Sequence, residues 1–217
     1  MENLRYIFLF LSFYLINMTE TAAQKTLSYL ALGDSYTIGE SLPLEDNFPH
    51  QTVALLRKKR MLIADPEIVA KTGWTTDELT DAITKLSLKS NYDYVSLLIG
   101  VNNQYRGRDI ATYQKDFEQL VLQAIQFAGG KHQHVFVLSI PDWGATPFAE
   151  GRDRKKIESE VDQFNAANLK IAQQYKVHYL EITVGTREAK QDISLVAEDK
   201  LHPSKKEYAR WAEKLCR

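Results

Sequence analysis

From Leu27 onward, short apolar runs alternate with longer segments whose apolar residues recur every three or four positions. The short runs read as buried strands and the longer segments as amphipathic helices. Strands are expected at 27–32 (LSYLAL), 67–70 (EIVA), 93–99 (DYVSLLI), 134–140 (HVFVLSI) and 177–182 (VHYLEI). Helices are expected at about 48–61, 76–88, 110–128 and 154–174. The clearest is 110–128, with Ile110, Tyr113, Phe117, Leu120, Val121, Ala124 and Ala128 on one face. Asp109 can cap its start and Gly129-Gly130 can end it. Ser204-Lys205-Lys206-Glu207 has the spacing of a capping box and opens a last helix with Tyr208, Trp211, Ala212 and Leu215 facing inward. Strands separated by helices imply an α/β fold, a parallel five-stranded sheet with helices on both faces. The pattern leaves the strand order open.

The first 23 residues follow a different rule. Residues 6–16 (YIFLFLSFYLI) form an apolar run preceded by Arg5 and followed by Thr21-Ala22-Ala23. This reads as an export signal with cleavage near Ala23, and it is short for a membrane span. The mature chain, 24–217, is sized for one domain and is expected to be secreted or periplasmic, without a stable membrane span, and to act as a monomer. Of the 27 Lys+Arg and 28 Asp+Glu, Arg5, Glu2 and Glu20 fall in 1–23, so 24–217 carries no net charge. With no basic stripe, nucleic acid is not an expected partner. Cys216 is the one cysteine, so no internal disulfide can form, and no His/Cys cluster suggests a metal or cofactor site. The Arg57-Lys58-Lys59-Arg60 run suits a helix C-terminus.

In a parallel sheet every strand's carboxyl end points to one edge, where such folds hold ligands. Gly33-Asp34-Ser35 follows the first strand, Lys71-Thr72-Gly73-Trp74 the second and Gly100-Val101-Asn102-Asn103 the third. Asp199-Lys200-Leu201-His202-Pro203 precedes the last helix. Each is an ordinary turn alone. Together they bring what acyl transfer needs. His202 is a base able to take the Ser35 proton near neutral pH, and Asp199 can orient it. The Ser35 N–H, the Gly73 N–H and the Asn102 amide can donate to an oxyanion. The serine is not in G-x-S-x-G, and no P-loop or dinucleotide motif is present.

These four blocks, in this order, resemble the SGNH (GDSL-type) hydrolases. The resemblance implies a flavodoxin-like three-layer α/β/α sandwich and metal-free hydrolysis of a small ester, lipid or acylated carbohydrate, in a lysophospholipase- or short-chain-esterase-like manner. It carries the nucleophile onto Ser35, the oxyanion donors onto Ser35, Gly73 and Asn102, and the acid and base onto Asp199 and His202. Two positions depart from the family. Tyr36 stands where leucine is usual. Asn103 replaces an aspartate, which is expected to loosen the positioning of Asn102. Tyr105, Arg106 and Trp143 are expected to line the substrate pocket, with Arg108 and Phe148 nearby. A glycan- or lipid-binding domain without catalysis and an acyltransferase are the alternatives on the same scaffold.

Overall fold

The computed structural model describes residues 25–217; the expected export signal, 1–23, lies outside them. The chain opens with strand β1 (Tyr29–Asp34), the short helix α1 (Ser35–Ile38) and α2 (Phe48–Lys58). It continues through β2 (Glu67–Lys71), α3 (Thr76–Thr84), β3 (Tyr94–Leu98), α4 (Val101–Tyr105) and α5 (Ile110–Phe127). It closes with β4 (Val135–Leu138), α6 (Arg154–Gln174), β5 (His178–Leu180), α7 (Thr183–Arg187) and α8 (Lys205–Leu215). All five strands pair in parallel in the order β2-β1-β3-β4-β5. That is the flavodoxin-like order, which places the crevice at the switch between β1 and β3.

Alternation along β1 explains the layers. Leu30 and Leu32 join the larger core with Tyr113, Phe117 and Leu120 of α5. Tyr29 and Ala31 point the other way onto Val53 of α2. Full burial of one such side chain contributes about 1.5–3 kcal/mol, and Leu30, Leu32, Val95, Leu97 and Val137 are all fully buried. The expected caps form in part. The Asp109 carboxylate accepts from the Thr112 N–H, and Ser204 caps α8. Glu207 does not return to complete the capping box; it turns inward, buried, and accepts from the Trp211 indole at 2.8 Å. The expected first strand shifts two residues toward its carboxyl end, to finish at Asp34. α3 stops at Thr84, before the expected 88, and α2 at Lys58, before 61. Among the described residues no helix is long and apolar enough to cross a membrane.

Gly33 is required by contact. A Cβ at this position would collide with Thr37 Oγ1 and the Leu98 carbonyl, so β1, β3 and α1 meet only over a glycine. Gly33→Ala is expected to destabilise the fold by about 1–3 kcal/mol through overpacking, read as a lower urea midpoint with an unchanged slope.

Candidate active site

α1 begins directly at the end of β1, which sets Ser35 at its first position. The Ser35 N–H therefore has no intrahelical acceptor. The Asp34 carboxylate accepts from the Tyr36 N–H at 3.0 Å and holds this turn. Facing Ser35 is the 199–203 loop. Asp199 Oδ1 accepts from the N–H groups of Leu201 and His202, both at 2.9 Å. The Ala197 N–H closes the loop on the His202 carbonyl at 2.8 Å. The loop so built presents the imidazole between two partners: His202 Nε2 lies 2.9 Å from Ser35 Oγ, and Nδ1 lies 2.6 Å from Asp199 Oδ2. Ser35 and His202 are both buried. With Asp199 ionised, Nδ1 carries the proton and Nε2 accepts from the Ser35 hydroxyl. The arrangement can draw a proton from Ser35 and stabilise the resulting cation.

The environment of the two carboxylates at this edge differs. Burial pushes Asp199 upward, but bonds from the His202 ring, the two N–H groups and the Ser41 hydroxyl at 2.8 Å outweigh it and hold its carboxyl below the usual range. Ser41 had no signal in the sequence, since it reaches Asp199 across the fold. At Asp34 burial wins over the Tyr36 and Asn102 bonds, and its carboxyl is raised to about 7.

The residues expected to donate to an oxyanion meet around α4. Asn102 donates its side-chain amide to the Trp74 carbonyl at 3.1 Å and to Asp34 Oδ2 at 3.3 Å. Gly73 turns the chain after β2 at φ 84, a region that favours glycine. The loosening expected from Asn103 is not what the structure shows. Its carbonyl oxygen accepts from the Thr76 N–H at 3.1 Å and its amide donates to Thr76 Oγ1 at 2.8 Å. An amide does both, where a carboxylate only accepts, and the block stays tied to the start of α3.

Three expected pocket residues divide. Arg106 is exposed and has two partners. Its guanidinium donates to the Gly73 carbonyl at 2.5 Å and pairs with Glu78 at 3.3 Å, so it bridges the Gly73 turn and α3. Trp143 is 4% exposed and donates to Gln104 Oε1 at 2.7 Å. With Tyr36 and His202 it lines a cavity of about 20 Å³, space for a water and not for an acyl chain. Tyr105 is 44% exposed and stands against the Trp143 edge with ring centroids 5.2 Å apart. Tyr36, the departure from leucine, packs its ring 4.8 Å from that of His202. Burial and neighbouring carboxylates raise its phenol well above the ordinary value, so it stays neutral. Among the described residues no three His, Cys, Asp or Glu side chains cluster as metal ligands would.

The Asp34 environment has a consequence for stability. The unfolded carboxyl loses its proton near pH 4, whereas the native one keeps it to about 7. The native state then binds more protons across that window, so the Asp34 contribution is full below about pH 4 and is lost as pH rises to about 7. Urea unfolding of Asp34→Ala from pH 4 to 8 is expected to show a flatter stability profile over that window than the wild type.

The GDSL-like lipase/acylhydrolase family model matches residues 31–210. No curated protein matches the sequence. Among solved structures, a lipase/acylhydrolase from Enterococcus faecalis is similar at a TM-score of 0.69 and 16% identity, covering 88% of this chain and 94% of that one. An acetylxylan esterase from Geobacillus stearothermophilus gives 0.68 and 19%, covering 87% and 92%. A psychrotrophic esterase from Pseudoalteromonas gives 0.62 and 16%, covering 87% and 93%. These likenesses carry the fold, and the family match spans β1 through most of α8: the chain belongs to the GDSL-like lipase/acylhydrolase family, serine hydrolases acting on ester bonds.

Proposed function

We propose that this protein is an exported serine esterase in which Ser35 is the nucleophile, His202 the general base and acid, and Asp199 the group that orients and stabilises the imidazolium. The observation that carries the reading is the continuous relay from Ser35 Oγ through both His202 nitrogens to Asp199, at 2.9 and 2.6 Å. Ser35 Oγ attacks the ester carbonyl as its proton passes to His202 Nε2. The tetrahedral intermediate collapses, and the leaving alcohol takes that proton. Water then attacks the acyl-enzyme, giving its proton to Nε2, and the carboxylic acid departs as Ser35 recovers the proton.

The negative charge that develops on the carbonyl oxygen falls to the N–H groups of Ser35 and Gly73 and to the Asn102 amide. In the absence of substrate that amide holds Trp74 and Asp34. The longer bond, to Asp34, is the one an oxyanion would displace. The rise in the Asp34 carboxyl supports this order of events, because the protonated fraction holds the amide hydrogen less tightly than a carboxylate does. The apolar run at 6–16 followed by Thr21-Ala22-Ala23 supports export.

A fluorophosphonate probe is expected to label the wild-type protein and not Ser35→Ala, with loss of hydrolysis of p-nitrophenyl esters; an active Ser35→Ala would remove the nucleophile. Asn102→Ala is expected to lower kcat by about 10²–10³ with KM little changed, measured on the same esters. An unchanged kcat would take Asn102 out of the oxyanion hole.

A further inference from the structure

Next to the helix that carries Asn102 and the loop that carries His202 lies a cation with no acidic partner among the described residues. Tyr105 lies three residues after Asn102 on α4, and helical side chains at that spacing start about 5–6 Å apart. Trp143 shares a cavity with Tyr36 and His202. The Phe148 N–H donates to the Lys200 carbonyl at 3.0 Å, two residues before His202. The three rings touch, with Trp143 to Phe148 centroids at 6.0 Å and Tyr105 to Phe148 at 6.3 Å. They form one aromatic cluster, joined through Tyr105 to the helix that carries Asn102 and through Phe148 to the loop that carries His202.

Arg152 lies over this surface. Its guanidinium carbon is 5.3, 5.4 and 5.7 Å from the ring centroids of Tyr105, Trp143 and Phe148. One nitrogen donates to the Tyr105 hydroxyl at 3.2 Å. Among the described residues no carboxylate oxygen comes within the 4.0 Å of an ion pair. The adjacent acid, Asp153, accepts from the Lys156 N–H at 3.0 Å as the cap of α6. Contacts with ring faces fix the plane of a guanidinium while leaving in-plane N–H donors for an acceptor. A side chain so held loses little freedom when a ligand arrives. The Arg106 guanidinium is engaged with the Gly73 carbonyl and Glu78, whereas Arg152 keeps donors free of any carboxylate among the described residues.

We propose that Arg152, seated on Tyr105, Trp143 and Phe148, is an anion subsite of the ester crevice, and that the preferred substrate carries a carboxylate or phosphate a few bonds from the scissile carbonyl. This rests on Ser35 being the nucleophile. A guanidinium that merely tied down the loop after β4 would serve neutral and anionic esters alike.

Two matched pairs test it, each read as the ratio of kcat/KM for the anionic over the neutral member. Mono-p-nitrophenyl succinate against p-nitrophenyl butyrate places a carboxylate on the acyl side. A lysophosphatidate against the corresponding monoacylglycerol places a phosphate on the alcohol side. In at least one pair the ratio is expected to fall about tenfold in Arg152→Ala, to be partly kept in Arg152→Lys, and to shrink in the wild type as salt is raised. Arg152→Gln retains a donor for Tyr105 and removes the charge, so it gives the same reading if Arg152→Ala does not fold. A ratio unchanged by Arg152→Gln in both pairs overturns the proposal. Failure of the nucleophile reading shows separately, as absent fluorophosphonate labelling. In that event calorimetry of lysophosphatidate and of succinate with Ser35→Ala, with and without Arg152→Gln, still decides: about tenfold weaker binding of either in the double variant supports the subsite, and equal binding of both overturns it.

Discussion

The crevice exists because β1 and β3 approach without a side chain between them. Gly33 faces the Leu98 carbonyl and Thr37 with no room for a Cβ. The parallel register sets Gly33 opposite Leu98 on one side and Ala70 on the other. Three strands therefore end at the same level, and the residues just beyond them converge. Ser35, Gly73 and Asn102 are far apart in sequence, yet each follows one of these ends. A one-residue slip in the register would move every core side chain of the strand to the wrong face, so the hydrophobic layers that hold the sheet also align the chemistry.

Convergence alone does not give the precision acyl transfer requires, and α4 supplies the rest. This five-residue helix and the residue that ends it, Arg106, bind the segment after β2 at three points: Asn102 to the Trp74 carbonyl, Asn103 to Thr76, and Arg106 to the Gly73 carbonyl. Asn102 and Arg106 are four residues apart and so share a face. The Gly73 carbonyl accepts from Arg106 on the exposed side, and the next carbonyl, Trp74, accepts from the half-buried Asn102 amide. The loop proposed to carry an oxyanion donor is thus tied at two successive carbonyls although it contains a glycine at positive φ.

What was legible in the chain follows the range of each interaction. Strand existence and the long helices came from periodic apolar positions, because burial acts on every second or every third-to-fourth residue. Caps such as Asp109 were readable because the acceptor and the donor lie three residues apart. The helices α1, α4 and α7, of four or five residues, escaped because a single turn has no period to detect. The roles of Ser41, Arg106 and Arg152 escaped for another reason. Ser41 meets a carboxylate 158 residues away, Arg106 meets a backbone carbonyl that any sequence has, and Arg152 meets rings brought together by α4 and the loop after β4. Trp143, expected at the pocket, is mostly buried, with its indole N–H committed to Gln104.

The same edge separates two aspartates that look alike in sequence. Each accepts from a backbone N–H a few residues on, and each lies within reach of the nucleophile's segment. Asp199 is partly open and receives four donors, so it remains an anion and can hold Nδ1–H while a positive charge grows on His202. Asp34 is fully buried with fewer donors and holds its proton far more readily. If both were firmly ionised beside Ser35, their combined field would oppose the developing oxyanion as well as favour the imidazolium. On the proposed mechanism, pushing the two carboxyls in opposite directions assigns one to charge and the other to scaffold. Local burial, which no stretch of sequence displays, is what makes that assignment.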